Sequence, residues 1–321
     1  MAVYTTVSET DIQAFLESYD IGTLSELAPI AEGVENTNYR LTTSRGRFVL
    51  TLFERRTPAA ALPYVVGLMR HLEARGAPVP RPVRGKDGDS LRRLNARPAL
   101  IVSFLEGAAI GEPDPAHCRA AGRALALLHL KGADYAGQRS NPFGPKAWSD
   151  IAASCGNAAH GDADLAALLA RIDTTLGQLD RIWPSGLPSG PCHADLFPDN
   201  VFFRDKEVSG IIDFYFACNE FWAYDLAVAL VSWAFDRENI YRPDCAEAMI
   251  AGYDEIRILD ETERAALPTL CLGAATRFTL TRLYDRLHPR KDALVIEKNP
   301  AEFAARMTLF SDRIASRGDN S

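Results

Sequence analysis

The sequence predicts an α+β protein of two lobes: a small lobe built on an antiparallel sheet over residues 1–105, and a larger, mainly helical lobe over 106–321. Three observations lead there. The 321 residues are 47% hydrophobic and 24% charged, enough apolar side chain for a sizeable core. Up to Glu106-Gly107 the apolar residues fall mainly in short strand-like runs, with one long helix among them. Beyond it they recur mainly at helical spacing. A run of strands followed by a run of helices is the pattern of an α+β plan.

Taken in order, Ser8 with Asp11 three positions on forms a capping box with Asp in place of Glu, so a short helix should follow. Tyr39-Arg40-Leu41 and Phe48 to Phe53 are strand candidates, and "TSRGR" around Gly46 is the turn that makes them a hairpin. From Pro58 to Arg75, Leu62, Val65, Val66, Met69 and Leu72 recur at helical spacing. Gly76 stops that helix, and "APVPRPV" must run extended. "LRRLNARPALIVSFLEG" predicts a second hairpin ending in the apolar strand Ala99 to Leu105. Ser103 to Gly107 is then a short strand-to-helix connection, closer to a hinge than to a free linker. Helices are expected over about 115–130, 162–182, 222–236, 243–256, 260–287 and 300–315, interrupted by one compact strand region around 191–213. No internal repeat or low-complexity tract is present.

Several function classes lose support at this point. The net charge is −7 and no Lys/Arg-rich run stands out, which disfavours nucleic acid as a partner. No stretch approaches the roughly 18 apolar residues of a membrane span, and the first twenty residues lack the basic and apolar regions of a secretory signal. Six cysteines are scattered singly without a C-x-x-C, so neither a zinc knuckle nor a redox dithiol is expected. A cytoplasmic protein with reduced thiols is the default expectation. The sequence does not set the oligomeric state.

The chemistry concentrates in "HADLFPDNVFF", His193 to Phe203. Asp195 precedes Asn200 by five positions, and "VSGIIDF" puts Asp213 at the end of an apolar strand thirteen residues later. "NVFFRD" and "EVSGIIDF" form a hairpin turning at Arg204 to Glu207, which returns Asn200 and Asp213 to the same end of the ladder. Phosphoryl transfer needs such a set: one carboxylate to meet the acceptor hydroxyl, and an amide and a second carboxylate to hold Mg²⁺ on the nucleotide phosphates. H-x-D-x-x-x-x-N followed by apolar-apolar-Asp also matches the catalytic-loop and metal pattern of protein kinases. Three coordinated positions set this apart from a turn whose aspartates merely cap a buried strand. No Walker A G-x-x-x-x-G-K-[ST] is present.

These residues, with "EGVENTNYRL", "GAPVPRPV", "GRALALLHL" and "AYDLA", resemble the aminoglycoside phosphotransferase/choline kinase superfamily, which has a protein-kinase-like fold. Within it, "ENTNY", "LTLFERR", "HADLFPDNVFF", "IIDFYFACNE" and "RFTLTRLYD" together resemble the kinase-like homoserine kinases. The resemblance implies ATP and Mg²⁺ as cofactors and a small amino acid as acceptor, in threonine biosynthesis. It implies Asp195 as the catalytic carboxylate and Asn200 and Asp213 as metal and nucleotide ligands. Gly33, Glu35, Asn36 and Asn38 would lie over the nucleotide, although a polar β-turn would look the same. His193 is expected to hold the loop structurally, with Asp225 as its partner. His129 suits a helix C-terminus without any functional role.

Ala194 stands where protein kinases put an arginine that answers a phosphorylated activation loop, and only twelve positions separate Asp213 from Asp225. An enzyme ready to act without that switch is implied. Thr51 in "FVLTLF" stands where the family places a lysine, and the next helix has no acidic residue before Glu73. Arg55 or Arg56 could supply the missing charge, or both could be solvated. For an acceptor carboxylate, Arg277 and Arg282 are the candidates, since a guanidinium can bind it bidentately. Five residues turn a helix by about 140°, so the two should face differently and only one should reach the substrate. Arg277 is favoured, sharing a face with Thr281 and Tyr284.

The alternatives are a kinase of the same fold for choline, ethanolamine, methylthioribose or an aminoglycoside, and a metal-dependent phosphohydrolase built on His193, Asp195 and Asp213. A choline-type acceptor would favour aromatics such as those of "FYFACNEFWAYD". A phosphohydrolase needs more histidine ligands than six scattered His provide. A non-catalytic pseudokinase would explain Thr51 but not the intact Asp195, Asn200 and Asp213.

Overall fold

The computed structural model describes residues 5–30, 36–54, 58–158, 162–289 and 298–318. Helix α1, Glu9–Leu16, begins at Ser8 with both bonds of the capping box in place, Asp11 N–H to Ser8 Oγ and Ser8 N–H to Asp11 Oδ2. Five strands follow: β1 Leu24–Pro29, β2 Thr37–Thr43, β3 Gly46–Leu52, β4 Leu91–Leu94 and β5 Arg97–Ser103. They form one antiparallel sheet in the order β1-β2-β3-β5-β4. Strand β1, unforeseen from the sequence, lies at the sheet edge, where its terminal Pro29 is tolerated. Helix α2, Leu62–Ala74, follows a 3-10 turn at Ala59–Ala61.

The period-two alternation of the strands decides what each face sees. In β5, Ala99 and Ile101 join Ile12, Phe15 and Leu16 of α1 in one core, whereas Leu100 and Val102 join the other, with α2. In β3, Leu50 and Leu52 go to the α1 core. Thr51 between them therefore points to the opposite face.

The remaining chain forms α3 Pro115–Gly132, α4 Pro145–Ala158, α5 Ala163–Ile182, α6 Trp222–Trp233, α7 Pro243–Asp254, α8 Glu261–Leu287 and α9 Pro300–Gly318. Among them run β6 Ala108–Ala109, β7 Ser189–Cys192, β8 Val201–Arg204, β9 Glu207–Ile211 and β10 Cys218–Phe221. The six helices expected from spacing are all present. Helix α4 was not foreseen: its buried side is Trp148 and Cys155, flanked by small residues that carry a weak periodic signal. Strand β10 was not foreseen either. It pairs with β7 in a two-stranded ladder, so it depends on a partner about thirty residues back.

Two contacts fix the helical layer. Helix α6 is buried all round from Ala223 to Val231, and Asp225 is its one charged residue, so it is the centre of this lobe. Helices α3 and α7 cross closely. A Cβ on Gly122 would lie 2.1 Å from the Met249 carbonyl oxygen, and one on Gly252 would lie 2.0 Å from that of Arg119. All six cysteines are buried and free, and no helix among the described residues is long and apolar enough to cross a membrane.

Candidate active site

The loop after β7 is held from behind by one carboxylate. Asp225 projects from the first turn of α6 and is fully buried. Its Oδ2 accepts the backbone N–H of His193 at 2.7 Å, and its Oδ1 that of Ala194 at 2.7 Å. His129 adds a third bond to Oδ2 through Nε2 at 2.9 Å, while its Nδ1 meets the Tyr253 hydroxyl at 2.7 Å. Burial pushes the Asp225 carboxyl up, but the hydrogen bonds from His129 and from the Ala194 N–H help hold it below its ordinary value. Burial lowers His129, which is therefore a neutral member of a closed network rather than a cation at a helix end. His129, Cys192 and Asp225 bring ligand atoms within 4.8 Å of one another. Both imidazole nitrogens are already engaged there, so the cluster is structural.

His193 does its holding through both its backbone and its ring. Asp225 takes its backbone N–H, not the imidazole. The ring spans the loop, with Nε2 on the Ile212 carbonyl at 2.8 Å and Nδ1 accepting from the Asp195 N–H at 3.3 Å. That ties the Asp195 segment to the Asp213 segment and fixes the tautomer with the proton on Nε2. Ala194 and Asp213 both take left-handed backbone conformations, φ 61° and 66°. Strain of this kind in non-glycine residues persists only where surroundings enforce it. Around Ala194 they do, with Asp225 on its N–H and Arg277 Nη1 on its carbonyl at 2.6 Å.

The hairpin of β8 and β9 closes the other side. Val201 pairs with Ile211, and the Ile212 N–H bonds the Asn200 carbonyl at 3.0 Å, which brings Asn200 and Asp213 to one end of the ladder. Asn200 donates Nδ2 to the Asp195 carbonyl at 2.8 Å, leaving its Oδ1 as the ligand-bearing end. Asp195, Asn200 and Asp213 all line one cavity of about 1250 Å³. Asp195 is half-buried on its floor. Burial raises its carboxyl above the ordinary value, against the pull of Arg277, His193 and Lys298.

The sheet supplies the roof. Asn36, Asn38, Arg40 and Thr51 line the same cavity. Thr51 Oγ1 donates to Asn38 Oδ1 at 2.7 Å and accepts from the Tyr215 hydroxyl at 3.4 Å, so this position is neutral and already bonded. Asn36 Oδ1 receives the Glu54 N–H, and its buried Nδ2 has no partner among the described residues. Gly33, Glu35, Arg55 and Arg56 lie outside the described residues. Glu73 is drawn away to Arg81, 3.8 Å off.

Helix α8 forms the far wall. Arg277 is buried in an aromatic box, its guanidinium carbon 4.7 Å from the Phe278 ring centre, 5.5 Å from Phe143 and 5.9 Å from Phe216. Its Nε has no hydrogen-bond partner among the described residues. Arg282 also lines the cavity, contrary to the expectation that only one arginine would reach it. The cavity follows the helix along its length, taking in Thr281, Asp285 and His288 as well, so a turn of 140° does not remove a long side chain from it. Arg282 is nonetheless committed, with Nη1 on Glu302 at 2.5 Å and on the Asn299 carbonyl at 3.2 Å. Tyr284 stands outside, stacked on His288. The aromatic box and Lys298 were not foreseen. Phe143, Phe216 and Lys298 come from three distant segments, and no local spacing joins them.

Residues 26–265 match the model of the phosphotransferase enzyme family. The chain belongs to that family. A homoserine kinase of Gluconobacter oxydans (strain 621H) is 47% identical over 312 residues, covering 97% of this chain and 98% of that one. Among solved structures, the phosphotransferase resembles choline kinase from Cryptosporidium parvum Iowa II with a TM-score of 0.71 at 13% identity, covering 98% of this chain and 97% of that one. An amicoumacin kinase solved with AMP-PNP and Ca²⁺ gives 0.71 at 15% identity, covering 97% and 94%. The chain thus has the two-lobed, kinase-like α+β fold of these neighbours. The family match ends at residue 265, before Arg277, Arg282 and Lys298.

Proposed function

We propose that this phosphotransferase is a homoserine O-kinase, moving the γ-phosphate of MgATP to the side-chain hydroxyl of L-homoserine. The observation that carries this is the extent of the similarity. Homoserine kinases match at 47–49% identity over 94–97% of the chain, far enough to take in the α8 wall that the family model leaves out. The lobes, 1–105 and 106–321, enclose ATP between them, and the acceptor is a free amino acid. The assignment puts the enzyme in the cytoplasm and in threonine biosynthesis, acting on small molecules rather than on nucleic acid or a membrane.

Each cleft residue then has a role. Asp195 orients the acceptor hydroxyl and takes its proton late, as bonding to phosphorus acidifies it. Asn200 and Asp213 offer an amide oxygen and a carboxylate on the same cavity, the hard oxygen donors that suit Mg²⁺. Bound there, the ion would neutralise phosphate charge. Asn36 and Asn38 cover the nucleotide, with Nδ2 of Asn36, unpartnered among the described residues, as a phosphate donor. Arg277 binds the homoserine carboxylate through its free edge, and Arg282 adds positive charge beside it. His193 and Asp225 keep the loop in shape without touching substrate.

The test is coupled ADP release by the purified protein with homoserine, serine, choline, methylthioribose and kanamycin. Homoserine should give the highest kcat/KM. A higher value for another acceptor would reassign the substrate, and phosphate release independent of any acceptor would make the protein a hydrolase.

A further inference from the structure

Phosphoryl transfer spreads negative charge over the oxygens of the group in flight, and a positioned cation there lowers the barrier. The roof offers none at Thr51, which is neutral and bonded. Of the cations lining the cavity, Arg40 is paired with Glu26 and Arg282 with Glu302, Arg277 is anchored to the Ala194 carbonyl, and Arg286 is not without a partner either. Lys298 also lines it, and among the described residues its ammonium has neither an ion pair nor a hydrogen bond. What it has is a platform: Nζ lies 5.8 Å from the centre of the Phe197 ring, two residues past Asp195.

The platform is rigid. The Phe197 ring packs against Phe278 at 4.9 Å and Phe303 at 6.0 Å. Its backbone is closed by its own N–H to the Asp195 carbonyl at 2.8 Å and by the Asn200 N–H to its carbonyl at 3.0 Å. A charge seated on this ring is thus placed by the catalytic loop itself, although it comes from a residue about a hundred positions later. It is also near enough to stabilise the Asp195 carboxylate.

We propose that Lys298 is a catalytic residue whose ammonium donates to the γ-phosphoryl oxygens during transfer, supplying the charge that Thr51 cannot. This rests on the kinase assignment above. The acceptor oxygen forms its bond to the γ-phosphorus as the bond from phosphorus to the β,γ-bridging oxygen breaks. ADP leaves, the hydroxyl proton passes to Asp195, and Lys298 keeps all its protons.

The experiment is steady-state kinetics of Lys298→Gln, Lys298→Arg and Lys298→Ala. Lys298→Gln should lower kcat by about 10²-fold, the lower end of the loss for one oxyanion donor, with both KM values nearly unchanged. Lys298→Arg should recover most of that, and methylammonium should partly rescue Lys298→Ala. Lys298 is exposed at the cavity edge, so all three variants should melt like wild type. A raised KM for homoserine with unchanged kcat would make Lys298 a carboxylate holder and overturn the proposal, as would no change at all. If wild type ignores homoserine, the acceptor assignment fails separately. Lys298 is then judged on the intrinsic ATP hydrolysis of the same proteins: a fall in Lys298→Gln supports it and an equal rate overturns it.

Discussion

Between His193 and Asp213 the polar groups that shape the cleft are tied to one another, whereas along α8 and the start of α9 long cations lean into the same cavity with donors to spare. In the first region Asp225 takes two backbone amides and an imidazole, His193 spans two segments, and Asn200 is pinned to the Asp195 carbonyl. In the second, Arg277 keeps an Nε unfilled among the described residues, and Lys298 rests on a ring. The family match covers the first region and stops before the second. On the proposed roles the contrast is a division of labour: a rigid loop holds the reacting groups, Arg277 in the α8 wall selects what is phosphorylated, and Lys298 at the edge of that wall serves the phosphate in transfer.

Removing Asp213, the proposed metal carboxylate, should break the first region most completely. Asp213→Ala is expected to abolish Mg²⁺-dependent turnover, and an unchanged magnesium titration would contradict its role. Asp195→Ala should lower kcat by about 10²–10⁴-fold, the range for a positioned acid–base group, with ATP affinity largely retained in equilibrium binding. Asp225→Ala leaves two buried amides and His129 without their acceptor. At about 1–3 kcal/mol for each orphaned donor, the variant should melt well below wild type, while Arg277→Met should not lose as much.

Smaller effects sharpen the second region. Arg277→Met should raise the KM for homoserine by about 10–10²-fold, as expected for losing a hydrogen bond to a charged group of about 1.5–3 kcal/mol, with the KM for ATP little changed. Equal effects on both would move Arg277 out of the acceptor site. The pH profile should shift as well. Asp195 must be ionised to accept a proton, and burial raises its carboxyl, so activity should fall with falling pH through a point above the ordinary carboxylate value of 3.8. Arg277 pulls that carboxyl down, so its loss should move the acid limb of kcat/KM to higher pH.

The two regions also differed in how far the sequence exposed them. The loop is encoded locally: Asp195, Asn200 and Asp213 lie within nineteen residues, on a hairpin whose turn and apolar strands are visible in "NVFFRDKEVSGIIDF". The long helices were visible for the same reason, since their apolar stripes repeat over many turns. What stayed hidden depends on distant partners. Strand β10 exists because β7 pairs with it. The role of His129 shows only once α6 and α7 bring Asp225 and Tyr253 to it. The aromatic box around Arg277 draws on Phe143, Phe216 and Phe278, which no periodicity links. Thr51 was singled out from its strand position, but its bond to Asn38 needed the register of β2 on β3.

The division of labour is tested most directly by comparing kcat/KM for homoserine and for 3-aminopropan-1-ol, the same acceptor without its carboxylate, in wild type and in Arg277→Met. Wild type should prefer homoserine, and the variant should lose most of that preference while still phosphorylating the amino alcohol. A preference that survives the loss of Arg277 unchanged would contradict the assignment of acceptor choice to the α8 wall.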